Sequence, residues 1–598
     1  MAEADHIRRW HRRAVRSALA CTSALLALVA LPTSALAAVP AWTTYHHDDG
    51  RTGVADGTFV ARHPILAWKS TYLDGPVYAE PLVLGSLVFV VTENDSIYAL
   101  DAETGHIDWQ HHVGTPVPQS TVGPAGCSAG YPELGITSTP VIDAARGEIF
   151  IVADTWDGHN AHFVLFGYSV LDGRQMLRRS VDVPGPDGGP NPEMVPLTNL
   201  QRESLALDHG EVVFGFGASG KDCDDYHGWV VASSESGTGP LYSYVTPSPS
   251  KGGIWNGGGA PVVAPSGNIF VTTGNAASSD PAAYDEGNSI VELTRHLQLV
   301  STFAPVTWAT DNHDDLDLGS ANAVALPEGL LFQAGKNGVG YLVSSRRLGG
   351  IGGQLFSATL GPAAYPDGGG SYGGSAYADG TIYVPFQTGL IALRVAGLGT
   401  AAPSFSVLWQ ETAPKNAAGK LITDGTGQPS APNGPPIVAG GLVWTVFVDE
   451  DNTPLHQGDY SMLFGLDPRT GAVAFSAPLP NAVHFTTPSA AGGRVFVEGG
   501  QYVYAFSLTS LPKVAITTPA AYVTVSSPSL TVEGTVAGVG RRAVPYVYVD
   551  GAVAKVAPDG RWSATIKPQG RGRNTIYAIA VERNGASGDI EREFTYSP

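Results

Sequence analysis

A unit of four short strands recurs along the chain and constrains the fold more than any other feature. Its clearest copy runs Ala79-Glu80-Pro81-Leu82-Val83, Leu87-Val88-Phe89-Val90-Val91, Ser96-Ile97-Tyr98-Ala99-Leu100-Asp101, then a Thr104-Gly105 turn and Trp109. Each stretch is short and bounded by Gly, Asp or Asn, as in an antiparallel meander. Repetition of such a meander predicts the blades of a β-propeller. Weaker copies start at Thr139-Pro140-Val141-Ile142, Ser204-Leu205-Ala206-Leu207, Ala260-Pro261-Val262-Val263, Gly319, Gly373 and Pro435. The copy from Pro435 contains Gly465-Leu466-Asp467-Pro468-Arg469-Thr470-Gly471, an echo of Leu100-Asp101-Ala102-Glu103-Thr104-Gly105. The last copy, Thr487-Pro488 to Phe506, is one strand short. Ile65-Leu66-Ala67-Trp68-Lys69 has the character of the missing outer strand, and closing the ring with it leaves no open sheet edge. The expected fold is all-β: an eight-bladed propeller, or a seven-bladed one if two weak copies merge.

Composition changes near Leu511. Residues 512–598 carry ten basic and seven acidic side chains, whereas the chain as a whole has 34 Lys+Arg against 54 Asp+Glu. Alternating runs such as Leu530-Thr531-Val532 and Thr575-Ile576-Tyr577-Ala578-Ile579-Ala580, with an Asp550-Gly551 hairpin turn, predict an immunoglobulin-like β-sandwich over 511–598. At the other end, Arg8, Arg9, Arg12, Arg13 and Arg16 precede an apolar run from Ala18 to Leu31 and an Ala35-Leu36-Ala37 small-x-small site. That order reads as an export signal over 1–37, too short an apolar run for a spanning helix. The propeller is then 38–510. The mature chain is expected to be secreted, cell-surface or periplasmic, with no transmembrane segment. Its acidic balance disfavours nucleic acid and anionic lipid as partners. Cys127 and Cys223 remain after cleavage, either as a disulfide or as two buried thiols.

The Ala99-Leu100-Asp101-x-x-Thr104-Gly105-x-x-x-Trp109 signature resembles the PQQ repeat of quinoprotein propellers. Its chemistry is structural: the Trp docks on the next blade and Thr-Gly makes the turn. Blades three to five are more specific. Trp255, Thr273-Gly274-Asn275, His313-Asp314-Asp315-Leu316-Asp317 and Gly335-Lys336-Asn337-Gly338 follow one another in an order similar to that of PQQ-dependent alcohol dehydrogenases. The resemblance implies pyrroloquinoline quinone (PQQ) and calcium as cofactors. It implies Trp255 as the floor under the quinone, Lys336 as the contact to its oxygens, and Asn275 as a metal ligand, with Glu133 a second ligand if it points into the channel. A flat quinone wants a ring to stack on, a hard cation wants oxygen, and a quinone being reduced wants a positive neighbour. Two departures stand against it. The family's adjacent cysteine pair is missing, and Asn288 of Asp285-Glu286-Gly287-Asn288-Ser289 stands where that resemblance places the catalytic Asp. Asn cannot take a proton, which leaves Asp285 or Glu286 as the candidate base. The acidic run Asp311 to Asp317 reads otherwise as a solvated loop.

Trp42-Thr43-Thr44-Tyr45-His46-His47-Asp48-Asp49-Gly50-Arg51-Thr52-Gly53 also resembles family sequence and is expected to be a structural latch, with a His46–Asp49 metal site as the alternative. The functions left open are a PQQ- and calcium-dependent dehydrogenase of a small alcohol or sugar, a non-catalytic propeller that binds a cell-surface glycan or protein, and a polysaccharide-active enzyme.

Overall fold

The computed structural model describes residues 40–598 apart from 57–60, 62–63, 123–132, 186–190, 192–193, 220–224, 248–249, 366–367, 417, 424–426, 449–460, 509–512, 538–544 and 582–586. Residues 1–37, the expected export signal, and Cys127 and Cys223 lie outside the described residues. The molecule is a β-propeller. Among the described residues, eight sheets of four or five strands, each built on an antiparallel meander, follow one another along 82–507. The last of these comprises Ser489–Ala491, Arg494–Gly499 and Tyr502–Ser507, and its fourth strand is Ile65–Lys69, paired Ile65 to Ser507 and Lys69 to Tyr504. Two further sheets, formed within 513–596, share one core that includes Val532, Val547, Trp562, Ile576 and Phe594.

The repeat signature explains how neighbouring blades join. Asp101 Oδ1 accepts the Thr104 amide at 2.8 Å and the Thr104 hydroxyl at 2.8 Å, which holds the turn so that Gly105 adopts φ +73°. No side chain would be tolerated there: a Cβ on Gly105 would lie 2.5 Å from the Trp68 ring. Trp68 also donates its Nε1 proton to Ala102 O at 3.0 Å, so the outer-strand Trp of one blade seats on the turn of the next. Trp109 repeats this against Val170 and Gly173, and Trp409 against Pro468 and Gly471. Each Trp therefore contributes apolar contact and one hydrogen bond across a blade seam.

The N-terminal segment is the expected latch. Trp42 pairs with Val83 of the first blade. Thr43 O accepts Ile142 N, Asp49 O accepts Val263 N, Gly50 O accepts Ala325 N, Thr52 O accepts Tyr377 N and Gly53 O accepts Val438 N, all between 2.7 and 3.0 Å. One extended segment thus satisfies the inward edges of six blades and fills the channel between them. Trp42, Tyr45, His46 and Arg51 are buried. His46 is a packed ring, stacked on Tyr45 at 4.3 Å, and burial lowers its pKa to about 4. Adjacent to this plug lie the buried carboxyls Glu80, Glu203 and Glu498. Burial raises Glu498 to about 8, outweighing hydrogen bonds from its own backbone, the amide of Thr487 at 3.1 Å and the Thr486 side chain, and weaker help from Arg202. In the unfolded chain the same group titrates at 4.5. The native state therefore holds the extra proton between those values. Its contribution to stability is full below pH 4.5 and is lost as pH rises to about 8, at up to ~1.4 kcal/mol per pH unit. Urea midpoints measured from pH 5 to 8 are expected to fall, and Glu498→Gln is expected to flatten that slope.

Candidate functional site

Three loops at one end of blades three to five meet around Trp255. The segment before Val262–Val263 carries Trp255, the loop after Ile269–Thr272 carries Asn275, and the connection that precedes Val324–Leu326 carries Asp315 and Asp317. Lys336 comes from the turn between Leu330–Ala334 and Val339–Ser344. Five of the residues picked out in sequence order, Trp255, Asn275, Asp315, Asp317 and Lys336, are brought together in space.

Trp255 rests on glycines. A Cβ on Gly253 would lie 2.5 Å from its ring and one on Gly274 2.6 Å, and one on Gly217 would strike the indole nitrogen. Its Nε1 proton points to Ala218 O at 3.4 Å, and Tyr226 lies beside it with ring centroids 5.9 Å apart. Backbone approach through glycine fixes the plane of the indole and leaves it partly exposed. Gly274 serves a second purpose. The same absent Cβ would be 2.6 Å from Asp317 Oδ1, so the carboxylate stands next to the indole.

Asp317 is buried and ordered by two donors: the amide of Asn275 at 2.7 Å and the ammonium of Lys336 at 2.5 Å. Asp315 accepts the Asn275 side-chain amide at 2.9 Å and lies 3.4 Å from Lys336 Nζ. Burial works against the Lys336 charge, but Asp317 and Asp315 outweigh it and the net shift is upward, so the lysine stays protonated. Asn275 Oδ1 is buried and has no hydrogen-bond partner. The acidic run is therefore not a solvated loop. It starts in the last turn of a short helix, Trp308–His313, and continues into the connection that follows, with Asp311 and Asp317 buried and the intervening His313 and Asp314 exposed.

Other sequence candidates go elsewhere. Glu286 accepts the Tyr244 hydroxyl at 2.5 Å, which holds it against the outer strand of blade three. Asp285 accepts the amides of Ser278 at 2.8 Å and Gly287 at 3.4 Å, and burial raises its pKa. Neither carboxylate hydrogen-bonds to Asn275 or Lys336. Asn288 is a splint: it donates to Asn312 at 2.8 Å and accepts Leu318 N at 2.6 Å, tying the two loops of the site together. Glu133 pairs across to Pro118 and interacts with Asp74 and His112 near blade one, not with Asn275. Among the described residues, no three His, Cys, Asp or Glu side chains form a group that could hold a metal ion. At the opposite end of the same blades, where the other set of turns lies, a depression of about 990 Å³ opens between Asp208, His209, Glu292 and Arg346. It shares no residue with the Trp255 group.

Residues 64–195 match the PQQ_2 family, described as outer membrane protein assembly factor BamB. Among curated proteins none matches the chain. Solved structures do. The quinohemoprotein alcohol dehydrogenase of Comamonas testosteroni is 16% identical, with TM-score 0.54 over 78% of this chain and 80% of that one. The quinohemoprotein alcohol dehydrogenase ADHIIG of Pseudomonas putida HK5 is 15% identical, with TM-score 0.53 over 81% and 83%. A europium-containing methanol dehydrogenase is 14% identical, with TM-score 0.53 over 78% and 98%. The docked tryptophans, the ring of meanders and these likenesses agree: residues 64–195 carry the PQQ_2 repeat, and the chain has the β-propeller fold of these dehydrogenase structures.

Proposed function

We propose that the protein is an exported quinoprotein dehydrogenase that binds PQQ over Trp255 and oxidises a small alcohol or sugar. The observation that carries this is the convergence on Gly274 of an indole face and a buried carboxylate that is held by Lys336. A ring fixed by glycines suits a planar cofactor, and a protonated lysine at its edge suits the oxygens of a quinone. PQQ, when bound, supplies the two-electron acceptor. The rest falls to this chain. Trp255 sets the plane, Lys336 holds positive charge beside it, and Asp317 accepts the hydroxyl proton of the substrate. Asn275 positions Asp317 through its amide and offers one unpartnered oxygen, the best-placed group for calcium. Asp317 and Asp315 would complete its oxygens only by releasing Lys336, so calcium at this position competes with the lysine. Residues 1–37 act as the export signal, and 511–598 form an immunoglobulin-like module.

Titration of the purified mature protein with PQQ, with and without calcium, tests the reading through tryptophan fluorescence. Saturable quenching is expected, lost in Trp255→Ala. No quenching at high micromolar PQQ overturns it.

A further inference from the structure

A second group of carboxylates lies at the seam between blades one and two, and nothing above uses it. Asp95 sits at φ +52° in the turn between Leu87–Thr92 and Ser96–Asp101, and Asp154 in the strand Glu148–Trp156. Both are buried, at 0% and 1% exposure. Gly135 links their backbones and side chains: its carbonyl accepts the Asp154 amide at 3.0 Å and its amide donates to Glu93 Oε2 at 2.8 Å, and the Asp95 charge acts on the Asp154 carboxyl. A Cβ on Gly135 would lie 2.9 Å from Asp95 Oδ1, and one on Gly114 3.1 Å from Asp95 Oδ2. Side chains are thus excluded from the space these carboxylates face. Both oxygens of Asp95, both of Asp154 and Oε1 of Glu93 have no hydrogen-bond partner.

Buried carboxylates left unpaired cost several kcal/mol each unless something neutralises them. The groups packed around this pair do not. Glu93, Glu133 and Asp74 act on Asp95, and Asp95, Glu93 and Asp182 act on Asp154, all of them acidic. Among the described residues, Arg202 acts on Glu93 and His112 on Glu133, and neither acts on Asp95 or Asp154. Protonating one carboxyl would give it one donor and leave the remaining oxygens bare, whereas a cation satisfies them together.

We infer that Asp95 and Asp154 hold a hard divalent cation of the calcium class, clamping blade one to blade two. The donors are all oxygens, which selects calcium over softer metals. No third acidic or imidazole side chain joins them among the described residues. Main-chain carbonyls and water therefore complete the shell, as calcium's irregular coordination of six to eight oxygens allows. Glu133, near Asp95, gives the mouth of this site further negative charge.

The test uses the mature full-length protein stripped with a chelator, then titrated with calcium chloride by calorimetry and with terbium by luminescence. Trp156, two residues beyond Asp154 on the same strand face, is the sensitiser. Wild type is expected to take up calcium saturably and to melt at a higher temperature with it. Asp154→Asn is expected to weaken affinity at least about tenfold. It should also melt higher than wild type without metal, because one of two facing like charges is gone, so a failure to fold is not the readout. The decisive comparison is made in an Asn275→Ala background, which removes the calcium position proposed beside Trp255. No calcium uptake in that background, or uptake there that survives Asp154→Asn, overturns the proposal. So does a signal lost in Asn275→Ala but kept in Asp154→Asn.

Discussion

Asp317→Asn is expected to lower PQQ-dependent turnover of an alcohol by about 10²–10⁴-fold, the range typical for removal of a positioned general base. The substitution is nearly isosteric. The amide oxygen of the new side chain still accepts the Asn275 amide, which now lies 2.7 Å from Asp317. The indole is untouched, so quenching of tryptophan fluorescence by PQQ should change little while kcat collapses. That split separates a lost base from a lost cofactor. Stopped-flow reduction of the bound cofactor by excess substrate is the measurement. Asp285→Asn serves as the control, because Asp285 hydrogen-bonds within its own loop, to the amides of Ser278 and Gly287, and not to Asn275 or Lys336 beside the indole. If Asp285→Asn costs as much as Asp317→Asn, the base is misassigned.

The largest effect on stability is expected from the latch. Arg51→Ala should cost about 3–5 kcal/mol, as breaking a buried charged network does. The guanidinium is buried and donates to Pro261 O at 2.7 Å, Thr44 Oγ1 at 2.8 Å and Asp48 O at 2.9 Å. It also offsets Glu203 and Glu80, whose carboxyls burial raises. Alanine would leave these acceptors bare around a cavity in the channel. Arg51→Lys keeps the charge but loses the fork, and should fall between the two. Denaturant midpoints for the three proteins decide it; equal midpoints would mean that the segment is merely draped over the blades.

The propeller was legible in the sequence because its repeat is written in turn chemistry. Leu-Asp-x-x-Thr-Gly followed by Trp encodes a turn and the ring that seats on a turn, and the Asp101 and Asp467 copies build both as expected. Ile65–Lys69 was legible through its Trp68. The site was legible in part. Trp255, Asn275 and Lys336 come together because each sits at the same end of a blade. The base was not. Asp285 and Glu286 adjoin Asn288 in sequence, but the loop turns at Glu286 and Asn288, both at positive φ, and sends their side chains to other partners. Asp317 lay in a run that reads as a solvated loop. The signal that could have found it is the spacing Asp315-x-Asp317, with two acids that both reach Lys336. Glu133 was misplaced because sequence cannot say over which blade a connection folds.

The latch and the closing strand also fix when the ring can form. Ile65 must wait for Ser507, more than 400 residues later, and Gly53 for Val438. Closing a loop of that length adds little entropy beyond that of a shorter one, since the cost grows only with the logarithm of length. Its kinetic weight is larger, because non-local pairings are slow to nucleate. The first-made segment is therefore the last to find its place. Until the final blade is synthesised, the early blades expose the inward edges that the segment will cover. A chain truncated before Tyr504 keeps the partners of its plug but lacks its closing strand pairing, and so should behave as an aggregation-prone open arc rather than a smaller propeller.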